Sequence, residues 1–139
     1  MKRLLIVLMI LFCFAGCSNN NPLGRVAIRG NVTLDGKPLE QGSIQFESMP
    51  GVQPTILTGG TIRQGAFSIP AANGLAPDQE YKVCIRSMEE DPTSSFAPGE
   101  AEFSTKNRDI VPPQYGRAST LTVNATKKSP NVFNFDMTK

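Results

Sequence analysis

Tyr81, Val83 and Ile85 alternate with Lys82, Cys84 and Arg86 in one unbroken run, and this two-residue period recurs along the chain. Such a run places its apolar side chains on one face of an extended strand, and that face must be buried against another apolar surface. Val26, Ile28, Val32 and Leu34 share one parity, Ile44 and Phe46 alternate with Gln45 and Glu47, and Phe67 and Ile69 share a face. Near the end, Leu121 pairs with Val123, and Phe133 with Phe135 and Met137, in the same way. No stretch shows a helical period of any length. The chain is expected to be all-β.

Turn chemistry divides the pattern into about seven short strands. Asp35-Gly36-Lys37-Pro38 supplies positive φ for a hairpin-type turn after the first strand, and Gln64-Gly65 turns into Ala66–Ile69. The remaining strands are expected at 42–48, at 56–58 with 60–63 as one interrupted strand, at 81–86, at 120–124 and at 132–137. Lys127–Asn131 joins the last two as a polar, proline-containing turn. Strands with one apolar face each are best buried as a single antiparallel two-sheet sandwich. One segment breaks the spacing: residues 87–118 hold no convincing strand. A loop well beyond about 12–15 residues is usually functional or disordered.

The N-terminus reads differently. Lys2-Arg3 precede an apolar run, Leu4–Phe14, followed by Ala15-Gly16-Cys17. This is the charged head, short apolar core and small-residue cleavage site of a secretory signal peptide. Its 11 apolar residues fall short of the roughly 20 that span a bilayer. Ordinary secretion and a buried N-terminal strand or helix are the competing readings. The domain plan is a signal at 1–16, a polar tether at 17–24 and a β domain at 25–138 with its long loop at 87–118.

Lys2 and Arg3 leave with the signal, so the 123 remaining residues carry twelve basic and twelve acidic side chains. That neutral balance leaves no basic footprint for nucleic acid. The chain has no histidine, which removes the commonest general base and the commonest metal ligand. Of three cysteines, Cys13 lies within the signal and Cys17 at its end, leaving Cys84 without a disulfide partner. Zinc sites built on Cys and His spacing are excluded. Glu89-Glu90-Asp91 lacks the spacing and glycine of a calcium loop. No metal, cofactor or catalytic residue is expected.

Two resemblances carry the reading further. Ala15-Gly16-Cys17 after the apolar run resembles a bacterial lipoprotein signal, with Phe14 where that family commonly has Leu. The resemblance implies cleavage before Cys17 and its acylation by chains such as palmitate, which hold the protein in the cell envelope. Ser18, where Asp would signal retention at the inner membrane, favours the outer one. Gly30-Asn31-Val32-Thr33-Leu34-Asp35-Gly36-Lys37-Pro38-Leu39, with Gly65–Ile69 and Glu80–Val83, resembles a carboxypeptidase-regulatory-like domain. Val111–Tyr115, Ser119–Val123 and Asn131–Met137 are similar to small bacterial lipoproteins that carry one such domain.

That likeness covers most of residues 25–138 and implies a transthyretin-like, immunoglobulin-like sandwich used for folding, adhesion or recognition. The related hydroxyisourate hydrolases depend on histidines and a C-terminal Tyr-Arg-Gly-Ser-type motif. Here the chain reads Asp136-Met137-Thr138-Lys139, so their activity is not carried over.

The function expected is a non-catalytic envelope lipoprotein that recognises a protein or polysaccharide. The alternative is a carboxylate-dependent hydrolase of the envelope, with two acids held across a cleft. Recognition is expected in the loop at 87–118, stiffened by prolines at 92, 98, 112 and 113. Tyr115, beside Pro112 and Pro113, is expected first to pack that loop onto the domain, and anchoring a partner is its competing role.

Overall fold

The computed structural model describes residues 21–90 and 107–139. Ten strands lie among them: β1 (Ile28–Leu34), β2 (Lys37–Pro38), β3 (Gln41–Ser48), β4 (Leu57–Arg63), β5 (Ala66–Ile69), β6 (Gln79–Arg86), β7 (Met88–Glu90), β8 (Asn107–Asp109), β9 (Thr122–Ala125) and β10 (Asn131–Met137). Two single-turn 3-10 helices occupy Ala71–Asn73 and Pro113–Tyr115. The chain is all-β, as the alternation requires. The seven strands read from the sequence are present, with the residues around Gly59-Gly60 forming one continuous strand.

Eight strands form one hydrogen-bonded sheet in the order β10-β1-β5-β4-β3-β6-β9, with β2 paired to β1. The ladder passes from one half to the other through the β4–β5 hairpin, where Arg63 pairs with Ala66. Gln64 and Gly65 both adopt positive φ there, as do Asp35 and Gly36 between β1 and β2. These are the two-residue turns whose twist suits the flanking strands.

The sheet curls, so its halves bury a common face. Phe46 on β3 lies 6.1 Å, centroid to centroid, from Phe67 on β5 and 6.3 Å from Phe133 on β10. Ile28, Val32, Ile44, Ile62, Val83 and Ile85 complete the core around them. Gly30 faces the same interior. A Cβ there would run into the Phe133 backbone carbonyl and come within 3.0 Å of the Phe67 ring, so glycine is what lets β1 and β10 approach under the aromatic cluster.

Three features depart from the sequence reading. β1 and β10 are parallel, Ile28 standing opposite Asn131 and Leu34 opposite Met137, where an antiparallel arrangement was expected. The cause is the turn at 126–130. It crosses from β9, paired to β6, to β10, paired to β1, and reaches β1 at the end from which β1 itself starts. Asn131 replaces the missing hairpin bonds. Its Oδ1 accepts the Thr126 N–H at 3.0 Å, and its Nδ2 donates to the carbonyls of Thr126 at 3.0 Å and Lys128 at 2.7 Å.

The segment at 87–118 also contains strands after all, β7 and β8, which pair antiparallel as a separate two-stranded arm. All six of their residues are exposed, so no apolar period marks them in the sequence. Finally, residues 21–24, assigned to the tether, form a closed turn. The Gly24 N–H donates to the Asn21 carbonyl at 3.0 Å, and the Asn21 side chain pairs with both backbone groups of Arg25 at 2.8 Å.

Candidate functional site

Strand directions give the molecule two ends. Ile28, Ile69, Gln79, Ala125 and Asn131 mark the end where the N-terminal turn enters; Leu34, Arg63, Arg86 and Met137 mark the opposite end. Strands of seven or eight residues at about 3.3 Å each separate the ends by roughly 23–26 Å. The arm and the 3-10 turn at Pro113–Tyr115 both gather at the far end.

A cleft of about 450 Å³ opens there, lined among others by Asp35, Lys37, Leu39, Glu40, Glu89 and Ile110. Its floor is apolar and its rim carries both signs of charge. The rim is tied down by hydrogen bonds in which side chains hold backbone groups, with one bond between two backbone groups. Lys139 N–H donates to Asp35 Oδ1 at 3.0 Å, and Asp35 N–H to the Met137 carbonyl at 2.8 Å. Ser87 Oγ donates to the Gln41 carbonyl at 2.6 Å, and Ser87 N–H to Asp109 Oδ1 at 3.1 Å, fixing the root of the arm against β3.

The proline-rich turn stands beside this cleft. Pro113 is exposed, whereas Pro112 and Tyr115 are half-buried. The Tyr115 ring packs against the core, and its phenolic oxygen accepts the Thr138 N–H at 3.3 Å, which lowers its pKa below the ordinary tyrosine value. Tyr115 therefore brackets the turn onto the end of β10 while part of its ring faces solvent. Gln114 and Arg117, exposed beside it, were not marked by sequence reasoning, since surface polar residues in a loop carry no periodic signal.

Tyr81 is a different case. Fully buried, its hydroxyl accepts the Ala76 N–H at 3.0 Å and donates to the Ala76 carbonyl at 3.1 Å, closing the corner before β6. Burial is the main reason its pKa lies above the ordinary value. Cys84 is half-buried on the outer sheet face, opposite Gln45 and between Lys82 and Arg86. Cys17, Asp91, Pro92 and Pro98 lie outside the described residues.

Among the described residues no three His, Cys, Asp or Glu side chains come together as a metal site, and no helix is long and apolar enough to cross a membrane. Asp35, Glu40 and Glu89 at the cleft are all exposed to water. The arrangement suits polar contact with a partner surface: a shallow apolar floor, a mixed-charge rim and a rigid proline turn.

No protein-family model matches the chain, and no curated protein matches it. Among solved structures, a 9R-lipoxygenase from Cyanothece PCC8801 is similar at a TM-score of 0.35 and 13% identity, over 99% of this chain and 20% of that one. The chain spans about a fifth of the enzyme's length, and a likeness of that size carries no argument about fold or activity.

Proposed function

We propose that this chain is a cell-envelope lipoprotein, held by acylated Cys17 to a membrane, the outer one favoured. In this reading the curled sheet is a transthyretin-like sandwich with halves β10-β1-β5 and β4-β3-β6-β9. The domain recognises a protein or polysaccharide at the end remote from its tether and catalyses nothing itself. The supporting observation is axial. The N-terminal turn enters at one end of the strands, while the cleft, the arm and the Pro112–Tyr115 turn gather at the other. An anchor and a recognition surface belong at opposite ends, because the far end is then the part presented to partners. Exposed carboxylates and the absence of histidine support a binding role over a hydrolytic one.

The test is a photocrosslinking residue placed at Gln114, beside the cleft, or at Asn134, on the outer face midway along β10, in intact cells. A discrete adduct at Gln114 and none at Asn134 is the expected result. Equal labelling at both positions, or none at either, would overturn distal recognition.

A further inference from the structure

We infer that the opposite end, where the N-terminal turn enters, is a lipid-docking face that rests on the phospholipid headgroups. The inference depends on the reading of Cys17 as the acylated residue. The length of chain outside the structure is its first support. Asn21 is clipped to Arg25 and its turn is closed, and only Ser18, Asn19 and Asn20 lie between Cys17 and Asn21 in the sequence. Four Cα steps of at most about 3.6 Å hold Asn21 within roughly 14 Å of Cys17. The headgroup layer on each side of a bilayer is itself roughly 6 Å deep. Asn21 can therefore stand at most about 8 Å beyond the headgroup layer, which keeps this end of the domain close to the surface.

The side chains at this end match that position. Leu23, in the clipped turn, and Leu57, at the start of β4, are 39% and 67% exposed, and they are two of four large apolar residues so exposed among the described residues. Contacts place them at the same end. Val26 bridges to Leu75, and Thr58, next to Leu57, donates its hydroxyl to the Asn73 carbonyl just before Leu75. The crossing turn joins them, since Ser129 Oγ accepts the Ala27 N–H at 3.2 Å. It brings Lys127 and Lys128, with Arg25 nearby. Asp78 pairs with Lys127 at 3.3 Å, leaving the three cations in excess of that carboxylate. Glu47 and Glu80 stand on the outer sheet face, Glu47 between Leu57 on one side and Lys82 on the other, so its charge is met by that lysine. An end that carries exposed leucines together with several long basic side chains has the composition of an interfacial surface, with the leucines below the headgroups and the ammonium groups at their level.

The chain contains no tryptophan, so a single introduced indole reports its own depth without background. The acylated protein is reconstituted on vesicles of phosphatidylethanolamine and phosphatidylglycerol with brominated acyl chains, as Leu57→Trp and, at the far end, as Gln114→Trp. The expected result is blue-shifted emission and strong quenching at Leu57→Trp, with neither at Gln114→Trp. Vesicle flotation is run in parallel. Protein that fails to float overturns the anchor and the docking face together. Protein that floats with Leu57→Trp unquenched, or with both positions quenched alike, leaves the anchor standing and overturns the docking face. A variant with twenty Gly/Ser residues inserted after Ser18, spanning about 25 Å on average, tests the face without its leash. Quenching that persists shows affinity of the face itself, and quenching that disappears overturns it.

Discussion

Asp109 accepts the backbone N–H of Ser87 on its Oδ1 at 3.1 Å, although twenty-two residues of chain separate them. The same oxygen accepts the Val111 N–H at 3.1 Å, and Oδ2 accepts Arg86 Nε at 3.3 Å. An isolated two-stranded ribbon is marginal in water, so the β7–β8 arm depends on this clamp at its root. The Arg86 contact is partly exposed and contributes at most about 1 kcal/mol. Asp109→Ala is expected to cost about 1–3 kcal/mol through the two backbone N–H groups left without their acceptor. Tryptic cleavage after the exposed Arg108 should accelerate, and Asp109→Asn, which keeps one acceptor oxygen, should fall between. Unchanged melting and unchanged cleavage in Asp109→Ala would show the clamp to be idle.

The two tyrosines should separate in an alkaline titration. Burial raises the Tyr81 pKa above 10, so the native state holds that proton more tightly than the unfolded chain does. The resulting stability is fully present below about pH 10 and is lost as pH rises through the native value. The Thr138 N–H lowers Tyr115, which should ionise first. Tyrosinate absorbance should therefore rise in two steps, the second coinciding with loss of the far-ultraviolet β signal. Tyr81→Phe should remove the second step and lower stability by about 1–3 kcal/mol, because both backbone groups of Ala76 lose their partner. A second step that preceded unfolding would contradict the buried corner.

Phe133 and Phe135 test the register of the last strand. Phe135 is buried and lies 6.3 Å from Phe67, whereas Phe133 is only partly covered beside Phe46. Phe135→Ala is expected to cost about 3–5 kcal/mol and Phe133→Ala clearly less. Denaturant melts that showed a loss below about 1 kcal/mol at Phe135 would mean the strand is shifted by one residue, since such a shift exchanges its faces.

What was legible in the sequence is what period two and turn residues encode. Tyr81–Arg86, Ala66–Ile69 and the Asp35-Gly36 and Gln64-Gly65 turns follow from single side chains and their neighbours. Of the core side chains read there, Phe46, Phe67, Val83, Ile85 and Phe135 are buried, and Leu121 and Phe133 are partly so. Which strand lies beside which is not a local property. Thr126–Pro130 has the composition of a hairpin loop, yet it crosses between the two sheet edges, and the parallel β1–β10 ladder depends on Asn131 satisfying that turn from within. The arm escaped notice for the opposite reason, because a ribbon exposed on both faces has no apolar parity to display. At the candidate site, Pro112, Pro113 and Tyr115 were found as a local irregularity, and the structure puts them beside a cleft whose other walls come from Asp35, Glu40 and Glu89, distant in the chain from that turn.

The anchor is the claim on which orientation depends, and Cys17→Ser tests it directly. In the proposed reading, small residues at 15 and 16 suit a signal peptidase, and the thiol at 17 is the group to which acyl chains would attach. Each buried methylene contributes about 0.8 kcal/mol, so two or more chains hold the protein where one would let it exchange. The wild-type chain should fractionate with membranes and show a mature mass beginning at Cys17 with the added acyl groups. Cys17→Ser should leave the chain soluble or with its leader uncleaved, while its β domain keeps the melting temperature of the wild type, because the described fold begins at Asn21. A wild-type protein found in the soluble fraction, or with an unmodified mature mass, would remove the anchor.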